Sequence, residues 1–183
     1  MNLPNIISIT RIILVPFILF SLLRGEYGTA LFLFFLAGLS DALDGFIARR
    51  LNLCTRLGAI LDPVADKFLV ISTVIVLFHQ GLLPGWLTLA IICRDLFIMS
   101  GAAAWYCRFK RVEIAPSFVG KLNTVLQVTM LFLLLAEASG VRQIASWLPF
   151  LFLLVFLATL VSGINYLVVW GLKARRRNKT ADM

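Results

Sequence analysis

Charge is scarce in this sequence. Only 14% of its 183 residues are Asp, Glu, Lys or Arg, whereas 61% are hydrophobic. A water-soluble domain of this length needs far more polar surface, so the composition argues against an ordinary soluble fold. The chain also has only three cysteines and one histidine, with no CxxC pair and no His/Cys ligand spacing. Neither a disulfide framework nor a zinc site is therefore indicated.

The hydrophobic residues are grouped in runs long enough to cross a bilayer. There are six such runs, each interpreted as a helix: residues 4–23, 27–49, 57–79, 83–106, 118–137 and 146–171. Because they use nearly the whole chain, no room is left for a separate soluble domain. The sequence predicts an all-α integral membrane protein, a single domain over residues 1–183 with six transmembrane helices and a short basic tail at 173–183.

Basic residues are distributed unevenly over the predicted connections. Eleven lie on the side that holds both termini: Arg49, Arg50, Arg56, Arg108, Lys110, Arg111, Lys173, Arg175, Arg176, Arg177 and Lys179. The opposite side holds only Arg24 and Arg142. By the positive-inside rule, both termini are expected to be cytoplasmic. A basic face beside anionic lipid accounts for the net charge of +8, so no nucleic-acid partner is expected.

Four aspartates interrupt the apolar pattern in the second and third predicted helices. Asp41 and Asp44 are three residues apart, and Asp62 and Asp66 are four apart, so each pair lies on one face of its helix. Both pairs fall at the cytoplasmic ends of antiparallel neighbours, where they can converge. A charge at the bilayer centre costs roughly 2.5–3.5 kcal/mol on insertion scales, so these carboxylates need partners.

Three kinds of partner can neutralise the four carboxylates. Nearby basic side chains would make a structural salt-bridge cluster, and small cations or protons in transit would make a transporter. Divalent cations are favoured, because a cluster of carboxylate oxygens suits Mg²⁺, Mn²⁺ or Ca²⁺. Two such ions would balance four aspartates and could assist a phosphoryl displacement. The transporter is less favoured, because these acids lie toward one face of the membrane rather than at its midplane.

Small residues and one arginine accompany the acids. Gly45 and Ala48 follow Asp44 within about one turn, and Gly58 comes one turn before the second acid pair. Small side chains allow a ligand or a neighbouring helix to approach the backbone closely. Arg49 adds a planar guanidinium suited to phosphate oxygens.

The spacing of these residues resembles the signature of the CDP-alcohol phosphotransferase family. The matching run is Asp41-x-x-Asp44-Gly45-x-x-Ala48-Arg49, eight further residues, then Gly58-x-x-x-Asp62-x-x-x-Asp66. The resemblance implies transfer of a lipid phosphate from a CDP-linked donor to a hydroxyl, with release of CMP. It also implies a site for two Mg²⁺ or Mn²⁺ ions.

The same resemblance implies roles for individual residues. The expected metal ligands are Asp41, Asp44, Asp62 and Asp66. The expected CDP-binding residues are Asp44, Gly45, Ala48, Arg49 and Gly58. Asp66 would also act as the general base that takes the proton of the attacking hydroxyl. The family further suggests a homodimer, with its active site facing the cytoplasm from the bacterial inner membrane.

Two branches of the family resemble the first half of the chain equally well, and both use CDP-diacylglycerol. Phosphatidylglycerophosphate synthases take glycerol 3-phosphate as acceptor, and cardiolipin synthases take phosphatidylglycerol. In the second half of the chain, Arg94 is followed by Asp95, whereas phosphatidylglycerophosphate synthases typically have Glu at that position. Asn123 replaces a second Lys in the run that begins Gly120-Lys121. These features resemble the cardiolipin synthase pattern, and a lost cation suits a phosphodiester better than a phosphomonoester.

Four basic residues are candidates for binding the acceptor phosphate: Arg11, Lys67, Arg94 and Lys121. The alternative for each is snorkelling to the membrane surface, or pairing with Asp95 or the acid cluster. We therefore expect a phosphatidyltransferase that favours phosphatidylglycerol, with glycerol 3-phosphate as the alternative acceptor.

Overall fold

The computed structural model describes residues 3–51, 58–109, 118–140 and 142–181, with side chains described over 13–40, 66–101, 118–140 and 144–168. These residues form α1 (Leu3–Leu23), α2 (Tyr27–Leu51), α3 (Gly58–His79), α4 (Gly85–Phe109), α5 (Phe118–Ala138) and α6 (Leu148–Ala181). A short 3-10 helix, Arg142–Trp147, precedes α6. The described parts of the chain contain no strand, which confirms the predicted all-α class.

The helices follow the six predicted segments closely, apart from the last one. Helix α6 continues to Ala181, whereas the predicted segment ends at residue 171. Residues 173–181 of the predicted tail are therefore helical. Their lysines, arginines and alanines are good helix formers, and basic side chains near a helix C-terminus interact favourably with the helix dipole.

Three glycines with positive φ end helices on one side of the bundle: Gly25 (φ 72°), Gly81 (φ 74°) and Gly140 (φ 112°). After α3, the N–H of Gly81 donates to the carbonyl of Phe78 and the N–H of Leu82 to that of Leu77, each at 3.0 Å. This pair of bonds is a Schellman motif, and glycine favours it because it has no Cβ to clash at positive φ. Short turns of this kind make α1–α2, α3–α4 and α5–α6 antiparallel neighbours.

The helices pack through apolar stripes at helical spacing. Helix α1 contacts both α2 and α3, α5 contacts α2, α3 and α6, and α4 contacts α3 and α6. The stripe of α1 is Val15, Ile18 and Leu22, and the stripe of α3 includes Val70, Val74 and Leu77. These spacings of three, four and seven residues are those that place side chains on one helix face.

Many large apolar side chains point outward. Leu89 on α4 and Phe150 on α6 are each 64% exposed, and Phe118 on α5 is 81% exposed. Such a surface is unfavourable in water but suits contact with lipid tails, so it agrees with the predicted membrane environment.

Among the described residues, two segments are long and apolar enough to cross a membrane: Phe118–Ala138 and Ile144–Val168. Shorter apolar stretches occur at Ile13–Leu23 and Tyr27–Ser40. The number of helices thus agrees with the predicted bundle, while six transmembrane spans and cytoplasmic termini stay predictions.

Candidate active site

The two predicted acid pairs lie on helices α2 and α3. Asp41 and Asp44 fall in the second half of α2, and Asp62 and Asp66 in the first half of α3. Gly45, Ala48 and Arg49 share α2 with the first pair, and Gly58 is the first residue of α3. The side chains of residues 41–65 lie outside the described ones, so the predicted convergence of the two pairs stays a prediction. Of the four acids, Asp66 has a described side chain, which is half-buried.

An ion-pair cluster connects α3 to α4 next to Asp66. The carboxylate of Asp95, fully buried on α4, accepts a hydrogen bond at each oxygen. Lys67 Nζ lies 2.8 Å from its Oδ2, and Arg94 Nη1 lies 2.6 Å from its Oδ1. Two of the predicted acceptor-binding cations therefore meet on one carboxylate. Charge-assisted bonds of this length are strong, which fixes the positions of both cations.

Helix α6 adds the fourth member of this cluster. Arg94 Nη2 donates to Ser162 Oγ at 2.6 Å, and Ser162 is fully buried. The Arg94 guanidinium carbon also lies 5.8 Å from the centre of the Tyr166 ring, within the range of a cation–π contact. Lys67, Arg94, Asp95 and Ser162 are called the Asp95 cluster below. The cluster ties three helices together at the level of Asp66.

A second buried polar contact connects α5 to α6. Thr159 Oγ1 donates to Asn123 Oδ1 at 3.1 Å, and both residues are buried. Among the described residues, Asn123 Nδ2 has no partner, and neither does the amide of Gln127 one turn on. Buried polar groups in proteins are nearly always hydrogen-bonded to protein or to water. In contrast to an apolar core, this part of the described interior therefore has donors and an acceptor that are not used by other protein groups.

The remaining predicted acceptor residues have different environments. Lys121 is exposed in the first turn of α5. Arg11 lies in α1, and its side chain is outside the described ones. Binding of an acceptor phosphate by any of the four cations stays a prediction. Lys67 and Arg94 both form ion pairs with Asp95, which is the alternative that the sequence analysis offered for them.

The sequence reasoning missed the contribution of α6. Thr159, Ser162 and Tyr166 are buried polar residues at spacings of three and four in an otherwise apolar helix. That spacing is a readable signal for a polar stripe that faces inward. Pairing with Asp95 was one alternative expected for each of the four cations, and the structure shows it for Lys67 and Arg94, because α3 packs on α4.

The donor set of the acid pairs suits hard divalent cations. Asp41, Asp44, Asp62 and Asp66 offer only carboxylate oxygens, the ligands that Mg²⁺ and Mn²⁺ prefer. Within the described side chains, no three His, Cys, Asp or Glu residues gather into such a site. A metal centre would therefore depend on the three aspartates whose side chains lie outside the described ones.

Comparison with known proteins gives one family. The model of the family described as CDP-alcohol phosphatidyltransferase matches residues 1–161, a range that includes both acid pairs and most of the Asp95 cluster. Ser162 lies immediately after the matched range.

Relatives from several organisms carry two different names. The chain is 37% identical to a cardiolipin synthase (CMP-forming) of Rattus norvegicus, over 70% of this chain and 48% of the relative. It is 38% identical to a cardiolipin synthase (CMP-forming) of Streptomyces coelicolor, over 76% and 68%. It is 34% identical to a CDP-diacylglycerol–glycerol-3-phosphate 3-phosphatidyltransferase of Haemophilus influenzae, over 92% of both chains.

The match to the mammalian relatives is partial in length. The chain spans 48% of the rat cardiolipin synthase and 60% of the human one. The apolar helices, together with relatives that are named as enzymes of membrane lipids, indicate a membrane protein. Since the family model covers most of the sequence, the chain belongs to the CDP-alcohol phosphatidyltransferase family.

Proposed function

We propose that this protein transfers a phosphatidyl group from CDP-diacylglycerol to the hydroxyl of a glycerol-type acceptor and releases CMP. The observation that carries the proposal is the family match over residues 1–161, which includes every residue of the predicted acid signature. The printed names of the relatives agree with this reaction, since they are CMP-forming synthases and phosphatidyltransferases.

In the proposed reaction, the acceptor hydroxyl oxygen bonds to the phosphorus that carries diacylglycerol. The bond from that phosphorus to the oxygen bridging to CMP breaks, and CMP leaves with the electron pair. Asp66 takes the hydroxyl proton as general base. Gly45, Ala48 and Gly58 give the nucleotide a close approach to the helix backbones, and Arg49 binds phosphate oxygens.

The proposed metal ligands are the four aspartates of the signature. Two Mg²⁺ or Mn²⁺ ions, when bound, would offset the negative charge of the pyrophosphate. Asp41 and Asp44 would hold them from α2, and Asp62 and Asp66 from α3. A test is to remove divalent ions from the detergent-solubilised protein with a chelator. We expect CMP release to stop and the thermal midpoint to fall, and both to recover with Mg²⁺ or Mn²⁺. No change in either quantity would contradict the metal assignment.

The proposed acceptor is phosphatidylglycerol, so the protein would be a cardiolipin synthase. Asn123 stands where phosphatidylglycerophosphate synthases typically carry a second Lys, in the run that begins Gly120-Lys121. One cation fewer suits the monoanionic diester of phosphatidylglycerol better than a phosphomonoester. Glycerol 3-phosphate is the second candidate, because the Haemophilus influenzae relative, which matches over 92% of both chains, is named for that acceptor.

The proposed setting is the bacterial inner membrane, with both termini and the active site on the cytoplasmic side and with two copies forming a homodimer. The excess of basic residues on the terminal side supports this orientation. A fluorescent protein fused after Met183 is expected to fluoresce, because it folds in the cytoplasm. A fusion protein that is inserted into the membrane but does not fluoresce would indicate the opposite orientation.

The deciding experiment offers purified protein CDP-diacylglycerol and Mg²⁺ with each acceptor in a separate reaction. Released CMP and the lipid product are measured. Cardiolipin from phosphatidylglycerol alone is the expected result. Phosphatidylglycerophosphate from glycerol 3-phosphate alone would replace the acceptor assignment, and no CMP from either would overturn the proposed function. A small cation transporter, the remaining alternative, would move ions across proteoliposomes without consuming the nucleotide.

A further inference from the structure

Two amide side chains lie in the buried face of α5. Asn123 and Gln127 are four residues apart, so they share one helix face, and they are 1% and 0% exposed. Among the described residues, Asn123 Nδ2 and both amide atoms of Gln127 have no hydrogen-bond partner. The same face continues with Leu131 and Leu134, which are buried and apolar. Leucine or methionine at position 127 would fill the interior without leaving polar atoms unpaired, so packing does not explain the amides.

The packing of α5 on α2 places these amides at the level of the first acid pair. The rings of Phe35 on α2 and Phe132 on α5 lie with their centres 6.2 Å apart. The two helices are antiparallel, because α2 begins and α5 ends at the side of the bundle that holds the glycine turns. Asp44 is nine residues after Phe35, and Asn123 is nine residues before Phe132. At about 1.5 Å per residue, both lie about 14 Å from the ring contact along the helix axes, and Gln127 lies about one turn nearer to it.

Helix α6 links the same amides to the Asp95 cluster. Thr159 Oγ1 donates to Asn123 Oδ1 at 3.1 Å. Ser162, three residues further along α6, accepts a hydrogen bond from Arg94 Nη2 at 2.6 Å. Residues three apart are neighbours on one helix face, so the contact with Asn123 lies within about one turn of the contact with Arg94. The unpaired amide atoms are therefore close to a cation proposed for the acceptor phosphate and level with proposed metal ligands.

The unpaired atoms suit the hydrogen bonds of an alcohol. A hydroxyl donates one hydrogen bond and accepts up to two, so it can donate to Gln127 Oε1 while its oxygen accepts one from Asn123 Nδ2. Both candidate acceptors carry the same glycerol end, in which a primary hydroxyl attacks the phosphorus and a secondary hydroxyl lies on the next carbon. The secondary hydroxyl does not react, and it needs a donor and an acceptor once it is removed from water.

We propose that Asn123 and Gln127 bind the secondary hydroxyl of the acceptor glycerol and thereby direct its primary hydroxyl toward Asp66. The ribose of the CDP group also has neighbouring hydroxyls. However, the residues expected to bind CDP from α2 extend from Asp44 toward residue 49, away from the ring contact, whereas Gln127 lies on the side nearer to it. The acceptor glycerol is therefore the ligand that this position fits. The inference rests on the proposed function, but it holds for either acceptor.

The test compares acceptors with and without the secondary hydroxyl. Phosphatidylglycerol is paired with phosphatidyl-1,3-propanediol of the same acyl chains, which keeps the diester and the attacking primary hydroxyl. Glycerol 3-phosphate is paired with 1,3-propanediol monophosphate if the protein uses the monoester. The ratio of kcat/KM for the two members of a pair, here called the hydroxyl ratio, is measured from CMP release by the wild-type protein and by Gln127→Met.

The wild-type hydroxyl ratio should be about tenfold or more, because a site with buried hydrogen-bonding groups discriminates against an analogue that cannot pair with them. Gln127→Met should lower the ratio to within about threefold of unity, through loss of activity on the glycerol acceptor. Activity on the propanediol acceptor should change by less than about threefold. A wild-type ratio near unity, or a Gln127→Met ratio within about twofold of the wild-type ratio, would overturn the inference.

A second set of reactions separates the acceptor from the nucleotide. CDP-diacylglycerol and its 2′-deoxyribose analogue are compared with a fixed acceptor. Their kcat/KM ratio should be the same in the wild-type protein and in Gln127→Met. A change in this donor ratio without a change in the hydroxyl ratio would assign the amide to the ribose and overturn the inference.

Leu131→Met is the matched control, because it introduces the same side chain one turn further along the buried face of α5. It should leave the hydroxyl ratio unchanged. An equal fall in the ratio for Leu131→Met would mean that the packing of α5, rather than the amide, orients the acceptor, which would also overturn the inference.

Folding and the proposed function are checked separately. If Gln127→Met does not give a monodisperse protein, Asn123→Leu, which replaces the amide by an apolar group of similar shape, decides by the same ratio. A wild-type protein that releases no CMP with any acceptor would end the proposed function and this inference with it, whereas an active protein with unchanged hydroxyl ratios would end only the inference.

Discussion

The two ends of the helix bundle have interiors of opposite character. At the end with the glycine turns, which we call the closed end, buried Leu22, Leu77 and Leu134 fill the interior, and Gly81 and Gly140 lie in the turns. Its helix ends are satisfied by their own backbone, as in the Schellman motif after α3. Such an end gains stability from packing and offers few groups for binding.

The other end, which we call the polar end, is built from buried polar side chains. It contains the Asp95 cluster, the Asn123–Thr159 contact and the Asp66 neighbourhood. Burying these charged groups requires removing them from water, a cost that an apolar core does not have. The attraction within a buried ion pair offsets this cost only in part or barely exceeds it, so the net stabilisation is small. Packing stability and the proposed activity are thus separated along the helices: the closed end holds the bundle together, and the proposed reaction would take place at the polar end.

The largest expected effect is loss of activity at the polar end. Asp66→Asn removes the proposed general base while keeping the size of the side chain. CMP release should fall by about 10²- to 10⁴-fold, the usual contribution of a positioned base. The measurement is the initial rate of CMP release from CDP-diacylglycerol with phosphatidylglycerol.

The matched control for Asp66 is Glu26→Gln at the closed end. Glu26 is an exposed carboxylate in the turn between α1 and α2. Its neutralisation should leave the rate unchanged. If Asp66→Asn kept more than a tenth of the wild-type rate in a folded protein, the base would have to be another group.

The next effect concerns packing at the closed end. Leu77 is fully buried in the core, so Leu77→Ala leaves a cavity. We expect a loss of about 2–3 kcal/mol of unfolding free energy, the lower part of the range for such changes, because unfolded helices remain in lipid and the transfer contribution is reduced. The measurement is the thermal midpoint in detergent.

Activity distinguishes the two ends in this variant. Below its lowered midpoint, Leu77→Ala should keep the wild-type acceptor preference, because Lys67 of the Asp95 cluster lies about three turns away on α3. A changed preference would show that the ends are coupled, which would contradict their separation.

A smaller effect is expected at the turn after α3. Gly81 has φ 74° and open space around its missing Cβ, so Gly81→Ala meets no clash with neighbours but must adopt a left-handed backbone. The expected cost is about 1–2 kcal/mol, seen as a lower thermal midpoint. Gly28→Ala in α2 is the control, because it has equal space without a positive φ. It should leave the midpoint unchanged or raise it; equal losses in both variants would refute the backbone explanation.

Local features of this molecule could be predicted from the sequence. The apolar runs predicted each of the six α-helices found in the described residues, because length and composition are properties of each segment alone. The spacing of Asp41, Asp44, Asp62 and Asp66 identified the family that the comparison confirms. The start of α5 at Phe118 was also predicted.

Features that depend on packing between helices could not be predicted. Lys67 and Asp95 are 28 residues apart, and Arg94 and Ser162 are 68 apart, so their contacts follow from how α3, α4 and α6 pack. Nothing in the local sequence of α4 says which neighbour supplies the second cation. The helical end of α6 was missed because hydrophobicity marks where a membrane span stops and not where a helix stops.

The smallest expected effect tests whether the polar end holds water. Gln127 is fully buried, and among the described residues both of its amide atoms lack partners, as does Asn123 Nδ2 one turn away. Three such atoms on adjacent turns can give a buried water the two to four partners that it needs. Replacement by the similarly sized methionine would remove those bonds, so Gln127→Met should lower the thermal midpoint by the equivalent of about 1 kcal/mol.

Leu131→Met is the control for Gln127, since it lies one turn further along the same stripe of α5, in the apolar core. Its cost should be smaller than that of Gln127→Met, because the exchange conserves volume and removes no hydrogen bond, and it should not alter water at the polar end. If Gln127→Met instead raised the midpoint, the amide would be buried dry at a cost. The boundary between the two ends would then lie nearer the Asp95 cluster, because an apolar residue would suit position 127 as well as it suits position 131.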